Sequence, residues 1–172
     1  MKNLSLWAMS KRSNFARLCG AVAVTALLAS AGYADSGPFA VLAGEWSGGG
    51  AVTLGNGTQE RIRCRATYAV GADGNHLRQE LRCASDSYRF ELSGDVTYQA
   101  GTLSGTWSEA SRKMSGALFG SAIGGQFQVV ITSVSFSANL SLTTRGDHQS
   151  IVVIAPPGGQ LVGASIALTR RK

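Results

Sequence analysis

From residue 44 to residue 168 apolar side chains recur at every second position, and no segment sustains a 3.6-residue period. A strand points successive side chains to opposite faces, so this period calls for strands with one buried and one wetted face. Trp46, Gly48, Gly50, Val52 and Leu54 share one face of a first strand. Ile62, Cys64, Ala66 and Tyr68 alternate with Arg61, Arg63 and Arg65, and Leu77, Leu81 and Cys83 with Arg78, Glu80 and Arg82. Further sets are Tyr88, Phe90 and Leu92; Val96 and Tyr98; Leu103, Gly105 and Trp107; and Met114, Gly116 and Leu118. Val130, Val134, Phe136, Ala138, Leu140 and Leu142 read as one apolar face opposite a serine-rich one, and Val162, Ala164, Ile166 and Leu168 close the series.

Turn sequences cut this pattern at short intervals: Gly55-Asn56-Gly57, Gly71 to Asn75, Ser111-Arg112-Lys113, Gly124-Gly125, Arg145-Gly146-Asp147 and Pro156 to Gly159. Glycine and Asn or Asp supply the backbone angles that tight hairpins need. Only Pro38 to Ala43 reads as a helical turn. The expected fold is all-β, an antiparallel up-and-down meander of about 8–10 strands that closes into a barrel, because closure removes the sheet edges. A β-sandwich is the alternative. An outer-membrane barrel fits less well, since aromatic girdles are missing and the chain ends in Arg170-Arg171-Lys172.

The first 34 residues break the pattern and read as a signal peptide. Lys2, Lys11, Arg12 and Arg17 precede an apolar run of small residues, followed by Ala29-Ser30-Ala31 and Gly32-Tyr33-Ala34 as cleavage sites. The apolar run falls short of the ~20 residues that span a bilayer. Cys19 begins that run rather than following it, which argues against a lipid anchor, and Lys11-Arg12 departs from a twin-arginine signal. The formal charge of +6 is largely this segment: without its four basic residues, 12 basic and 10 acidic residues remain, a net of +2. The expected organisation is a signal peptide over 1–34 and a single barrel domain over 35–172, in the periplasm or secreted.

Cys64 and Cys83 are the two cysteines left in that domain. An exported chain favours their pairing. Both fall on the apolar parity of their strands, so a hairpin about Gly71 to Asn75 brings the sulfurs opposite or nearly opposite each other. If Cys64 faces Cys83, Arg65 faces Arg82, a like-charge pair; a shift of two residues sets Arg65 against Glu80.

Gly44-Glu45-Trp46, on the first strand after a short turn, resembles the Gly-x-Trp signature of lipocalins and related calycin barrels. In that family the Trp closes one barrel end and an Arg from the last strand lies across it. The resemblance implies a lipocalin-like barrel, with that role for Trp46 and for Arg170 or Arg171. Gly105-Thr106-Trp107 is a second copy of the tripeptide.

Catalytic patterns are missing. Gly120-Ser121-Ala122-Ile123-Gly124 does not make a nucleophile elbow. His76 and His148 stand at turns without ligand or triad partners nearby in sequence, no carboxylate pair stands out, and Gly48-Gly49-Gly50 has no following lysine. No enzyme activity, cofactor or metal is expected. Asn56-Gly57-Thr58 and Asn139-Leu140-Ser141 match glycosylation sequons.

Two constellations remain. Trp46, Tyr68, Tyr88, Phe90, Trp107 and Phe136 would line the barrel interior, where Gly48 and Gly50 leave volume, and a small apolar ligand would fit there. A packed interior is the competing expectation. Outside, Arg61, Arg63, Arg65, Arg78, Arg82 and Arg89 form a stripe over three neighbouring strands, fit for an anionic partner. Nucleic acid is not expected, because no aromatics interleave with these arginines and the chain is exported. The alternative to ligand binding is a protein-binding module, such as an exported protease inhibitor or an envelope adaptor working through the arginine face.

Overall fold

The structure is a computed structural model and describes residues 36–172, Tyr88 excepted. The expected signal peptide, residues 1–34, lies outside the described residues. A short 3₁₀ helix, Pro38–Leu42, precedes ten strands: β1 Gly44–Leu54, β2 Gln59–Val70, β3 His76–Ala84, β4 Arg89–Gln99, β5 Thr102–Glu109, β6 Met114–Ile123, β7 Gln126–Thr132, β8 Ser137–Arg145, β9 His148–Ile154 and β10 Leu161–Arg170. Each strand pairs antiparallel with its sequence neighbour, and β1 pairs with β10, so the sheet is a closed barrel. The fold class read from the alternation is the one observed.

One end of the barrel is plugged. The helix turns Phe39 and Leu42 into the interior, each 1% exposed, and Phe39 stacks on Phe127 at 5.9 Å. Its backbone is tied to the β2–β3 turn by Gly37 N–H to Asp73 O and Phe39 N–H to Gly74 O. Trp46 sits above it with no exposed surface and donates its indole N–H to Leu42 O at 2.7 Å. Arg170, its partner in the β1–β10 register, lies over the indole ring at 4.3 Å. The same guanidinium donates to Ala43 O and Val41 O and pairs with Asp147. Of the two candidates from the last strand, Arg170 is the one across Trp46; Arg171 pairs with Glu45 outside.

Cys64 and Cys83 are directly opposite in the β2–β3 register and form a disulfide on the inner face. That register leaves Arg65 facing Arg82, and Arg82 in turn faces Glu91 of β4.

Two expectations need correction. Val130 and Val134 do not share the inner face of Phe136 and Ala138. The chain turns at 133–136, where Ser133 N–H donates to Phe136 O, and this turn breaks the parity. Phe127, Val129 and Ile131 therefore point inward, while Val130 is on the outside and Val134 is fully exposed in the turn. Gly48 and Gly50 do not hold volume open: a Cβ on either would fall about 2 Å from a carbonyl oxygen of β10, Ala167 or Ser165. Glycine there lets the closing strands approach.

Outside, charge is uneven. All six arginines of the expected stripe lie on outer positions of β2, β3 and β4. The outer row Phe119, Val130, Asn139 and Ile154 crosses β6 to β9 without a charge. Among the described residues no helix is long and apolar enough to cross a membrane.

The disulfide closes a loop of 19 residues. Replacing both cysteines by alanine should lower unfolding stability by about 3 kcal/mol, read as a reduced urea midpoint with a steeper slope, because the unfolded chain without the cross-link exposes more surface. Wild-type protein measured under reducing conditions should match the variant.

Candidate functional site

The interior beyond the plug is a cavity in two lobes. The lobe nearer the open end has a volume of about 110 Å³ and is walled by Leu81, Phe90, Leu92, Phe136, Ile151 and Ile166 among others. The deeper lobe, about 80 Å³, has Phe39 and Leu42 as its floor and Leu103, Leu118 and Phe127 in its wall. Gln79, Leu92, Trp107, Ile131, Leu140 and Leu142 border both, so the lobes meet at a waist. Because a water needs only about 10–15 Å³ on this measure, each lobe exceeds a single water several-fold. A ten-stranded barrel is wide enough to leave such space when its inward residues are of middle size, whereas about eight strands are just filled by side chains.

Of the residues expected to line the interior, Tyr68, Phe90, Trp107 and Phe136 do so. Trp46 is buried in the plug instead, away from both lobes, and Tyr88 is not among the described residues. Trp107 and Phe136 meet edge to face at 6.3 Å, and the indole N–H of Trp107 donates to Thr132 O.

Among the described residues the buried polar side chains are satisfied from within. Tyr68 donates its hydroxyl to Gln149 Oε1 at 2.8 Å, and Gln149 Nε2 donates to Thr144 Oγ1. Burial pushes the Tyr68 phenol well above its ordinary value, a cost to the anion that the Gln149 contact only partly offsets.

At the open end a wider hollow of about 360 Å³ is bordered by Phe90, Trp107, Glu109, Arg112, Met114 and Gln160. Glu109 is 2% exposed there. Its carboxylate accepts from the backbone N–H groups of Glu91 (2.9 Å), Ser111 (3.2 Å) and Arg112 (2.7 Å), and Arg112 Nη1 lies 3.8 Å away. Burial alone would raise its pKa; the hydrogen bonds outweigh burial and hold it below the ordinary 4.5. The guanidinium of Arg112 also donates to Arg89 O, so Glu109 and Arg112 together fasten the β5–β6 turn to β4 at the lip of the cavity.

On the outer face, Arg78 pairs with Asp95 at 3.6 Å, with both side chains largely exposed. Arg61, Arg63, Arg65, Arg82 and Arg89 make no ion pair among the described residues. Exposed pairs contribute about 0–1 kcal/mol, so this face owes little of its stability to charge. His76 and His148 sit at strand starts at the plugged end, far in sequence and fold from the lip.

Sequence reasoning passed over Gln79, Gly94, Glu109 and Arg112. The signals were present: Gln79 holds the inward parity between Leu77 and Leu81, and Glu109 continues the inward parity of Leu103, Gly105 and Trp107.

No family model and no curated protein matches the chain. Several solved structures resemble it. Rv2717c from M. tuberculosis is 14% identical with a TM-score of 0.64, covering 77% of this chain and 94% of that one. The S-type phycobiliprotein lyase CPES from Guillardia theta is 12% identical with a TM-score of 0.57, covering 78% and 90%. At these identities the likeness concerns the fold alone, and with the ten-stranded barrel it fits the lipocalin-like calycin architecture.

The Glu109 carboxylate stabilises the fold fully above pH 4.5, and the contribution is lost as pH falls through the lowered folded value. Glu109→Gln should therefore lose stability at neutral pH and show a shallower fall between pH 4.5 and 2 than wild type. Urea midpoints measured across that range check this; parallel curves would contradict it.

Proposed function

We propose that this protein is an exported barrel that binds a small apolar ligand in its interior. The observation that carries the reading is the unfilled two-lobed cavity, walled almost wholly by apolar side chains and continuous with a hollow at the unplugged end. Burying an apolar molecule there removes its surface from water at roughly 25 cal/mol per Å², without displacing any internal hydrogen bond. The phycobiliprotein lyase among the similar structures supports a barrel that handles small ligands. Export is supported by the disulfide and by the basic, apolar and small-residue order of residues 1–34.

The test uses protein made with its own leader and recovered from the periplasm or medium. Its N-terminus should follow Ala31 or Ala34, and native mass spectrometry should find a co-purified apolar molecule or, after extraction, binding of N-phenyl-1-naphthylamine with enhanced fluorescence. An unprocessed cytoplasmic chain would overturn export. Folded protein that neither carries a ligand nor binds the probe would overturn the ligand reading.

The arginine face supports a second reading, as a docking surface for an anionic envelope component. The disulfide register sets Arg65 against Arg82, a like-charge neighbour pair that costs stability and that a bridging anion would relieve. Binding to vesicles containing phosphatidylglycerol should fall steeply from 20 to 150 mM salt, and Arg65→Ala/Arg82→Ala should abolish it. No binding at low salt would remove this reading.

A further inference from the structure

One inner row crosses five strands: Tyr68, Gln79, Gly94, Trp107 and Gly116. Of the side chains bordering the two lobes, three carry a polar group: Tyr68, Trp107 and Gln79. Tyr68 and Trp107 are bonded within the protein. Gln79 is half-buried at the waist, and no group among the described residues hydrogen-bonds its amide. An amide is costly to place against an apolar cavity unless something there meets it. Leucine or methionine would fill the position at no such cost, as Leu77 and Leu81 do on either side.

Gly94, beside Gln79, sharpens the point. The inward glycines Gly48, Gly50, Gly105, Gly116 and Gly120 are demanded by the backbone: a Cβ on each would fall at 1.7–2.1 Å from a carbonyl oxygen of a paired strand. Gly94 is different. Its φ is not left-handed, and its Cβ would meet only Gln79 Cβ and Thr106 O, both at 3.9 Å, ordinary van der Waals contact. Nothing in the backbone calls for glycine at 94. What its missing side chain does is leave unfilled the space beside Gln79 Cβ in the wall of the deeper lobe.

Resting on the ligand reading above, we infer that Gln79 is the specificity residue of the cavity: it selects an apolar molecule, ring-bearing or flat enough to lie along Trp107, with a carbonyl or other hydrogen-bonding group partway along its body. The amide N–H donates to that group at the waist, with the apolar remainder in the two lobes. A molecule polar only at one end would instead place its head at the lip near Glu109 and Arg112 and leave Gln79 unmet.

The experiment compares 9-fluorenone with fluorene, the same tricycle with and without a central carbonyl, by competition against N-phenyl-1-naphthylamine. Wild-type protein should prefer fluorenone by about five- to tenfold, the worth of one internal hydrogen bond. Gln79→Leu should erase that preference while binding fluorene at least as well. Gly94→Val, checked for folding by circular dichroism, should weaken both. Equal affinity of wild type for the pair, or a preference kept in Gln79→Leu, overturns the role of Gln79 and leaves the cavity reading standing. If Gly94→Val is folded and binds both as wild type does, the placement at the waist is overturned. If neither tricycle displaces the probe, or the probe itself does not bind, the ligand reading falls and this one with it.

Discussion

Closure between β1 and β10 is the constraint on which the molecule depends. A ten-stranded meander left open would present two long edges of unpaired backbone groups. Here the two terminal strands pair along nearly their whole length. The seam is made close by Gly48 and Gly50 and is locked at its plugged end by Arg170. One guanidinium there covers the Trp46 ring, ties the last strand to Ala43 and Val41 of the segment leading into β1, and pairs with Asp147 of the β8–β9 turn. Residues 41–46 and the β8–β9 turn, distant in sequence, converge on this residue of the last strand, so the plug and the seam are one structure.

A barrel closed in this way has a bore set by strand number rather than by the volume of its side chains. With ten strands, filling the bore would take large residues at most inward positions. The chain instead places aromatics at the plug and the lip, Phe39 and Trp46 below and Phe90 and Phe136 above, with Tyr68 and Trp107 and otherwise mostly Leu, Ile and Val between them. The middle is left unfilled. The cavity is thus a consequence of pairing a wide frame with medium side chains. The polar groups at its edges, Glu109 and the Tyr68–Gln149–Thr144 chain, are satisfied from within and do not collapse into it.

Much of the fold was legible because its rules are local. Parity alone placed Cys64 and Cys83 on one face, and the Gly-x-Trp resemblance anticipated the cation over Trp46. Register was harder. The alternation is equally satisfied by Arg65 opposite Arg82 or opposite Glu80, and charge favours the second; the structure has the first because opposing the two cysteines outweighs one exposed repulsion. The Ser133 to Phe136 turn was hidden because Val134 and Phe136 keep the period through it, although the backbone reverses. The interior site was half legible. Aromatics announce themselves, so Tyr68, Phe90, Trp107 and Phe136 were found. Trp46 was grouped with them because parity says which face a residue takes but not how deep it lies. Gln79 and Gly94 carry meaning only once their neighbours across the sheet are known.

The central claim is that the two lobes are open to an apolar guest in the folded protein. A crystal structure of the protein under xenon pressure tests it most directly, since xenon occupies apolar space without needing any specific contact. The account predicts ordered xenon in both lobes, beside Leu92, Trp107, Ile131 and Leu140, with the barrel unchanged. Absence of xenon, with these side chains turned inward to fill the bore, would contradict it.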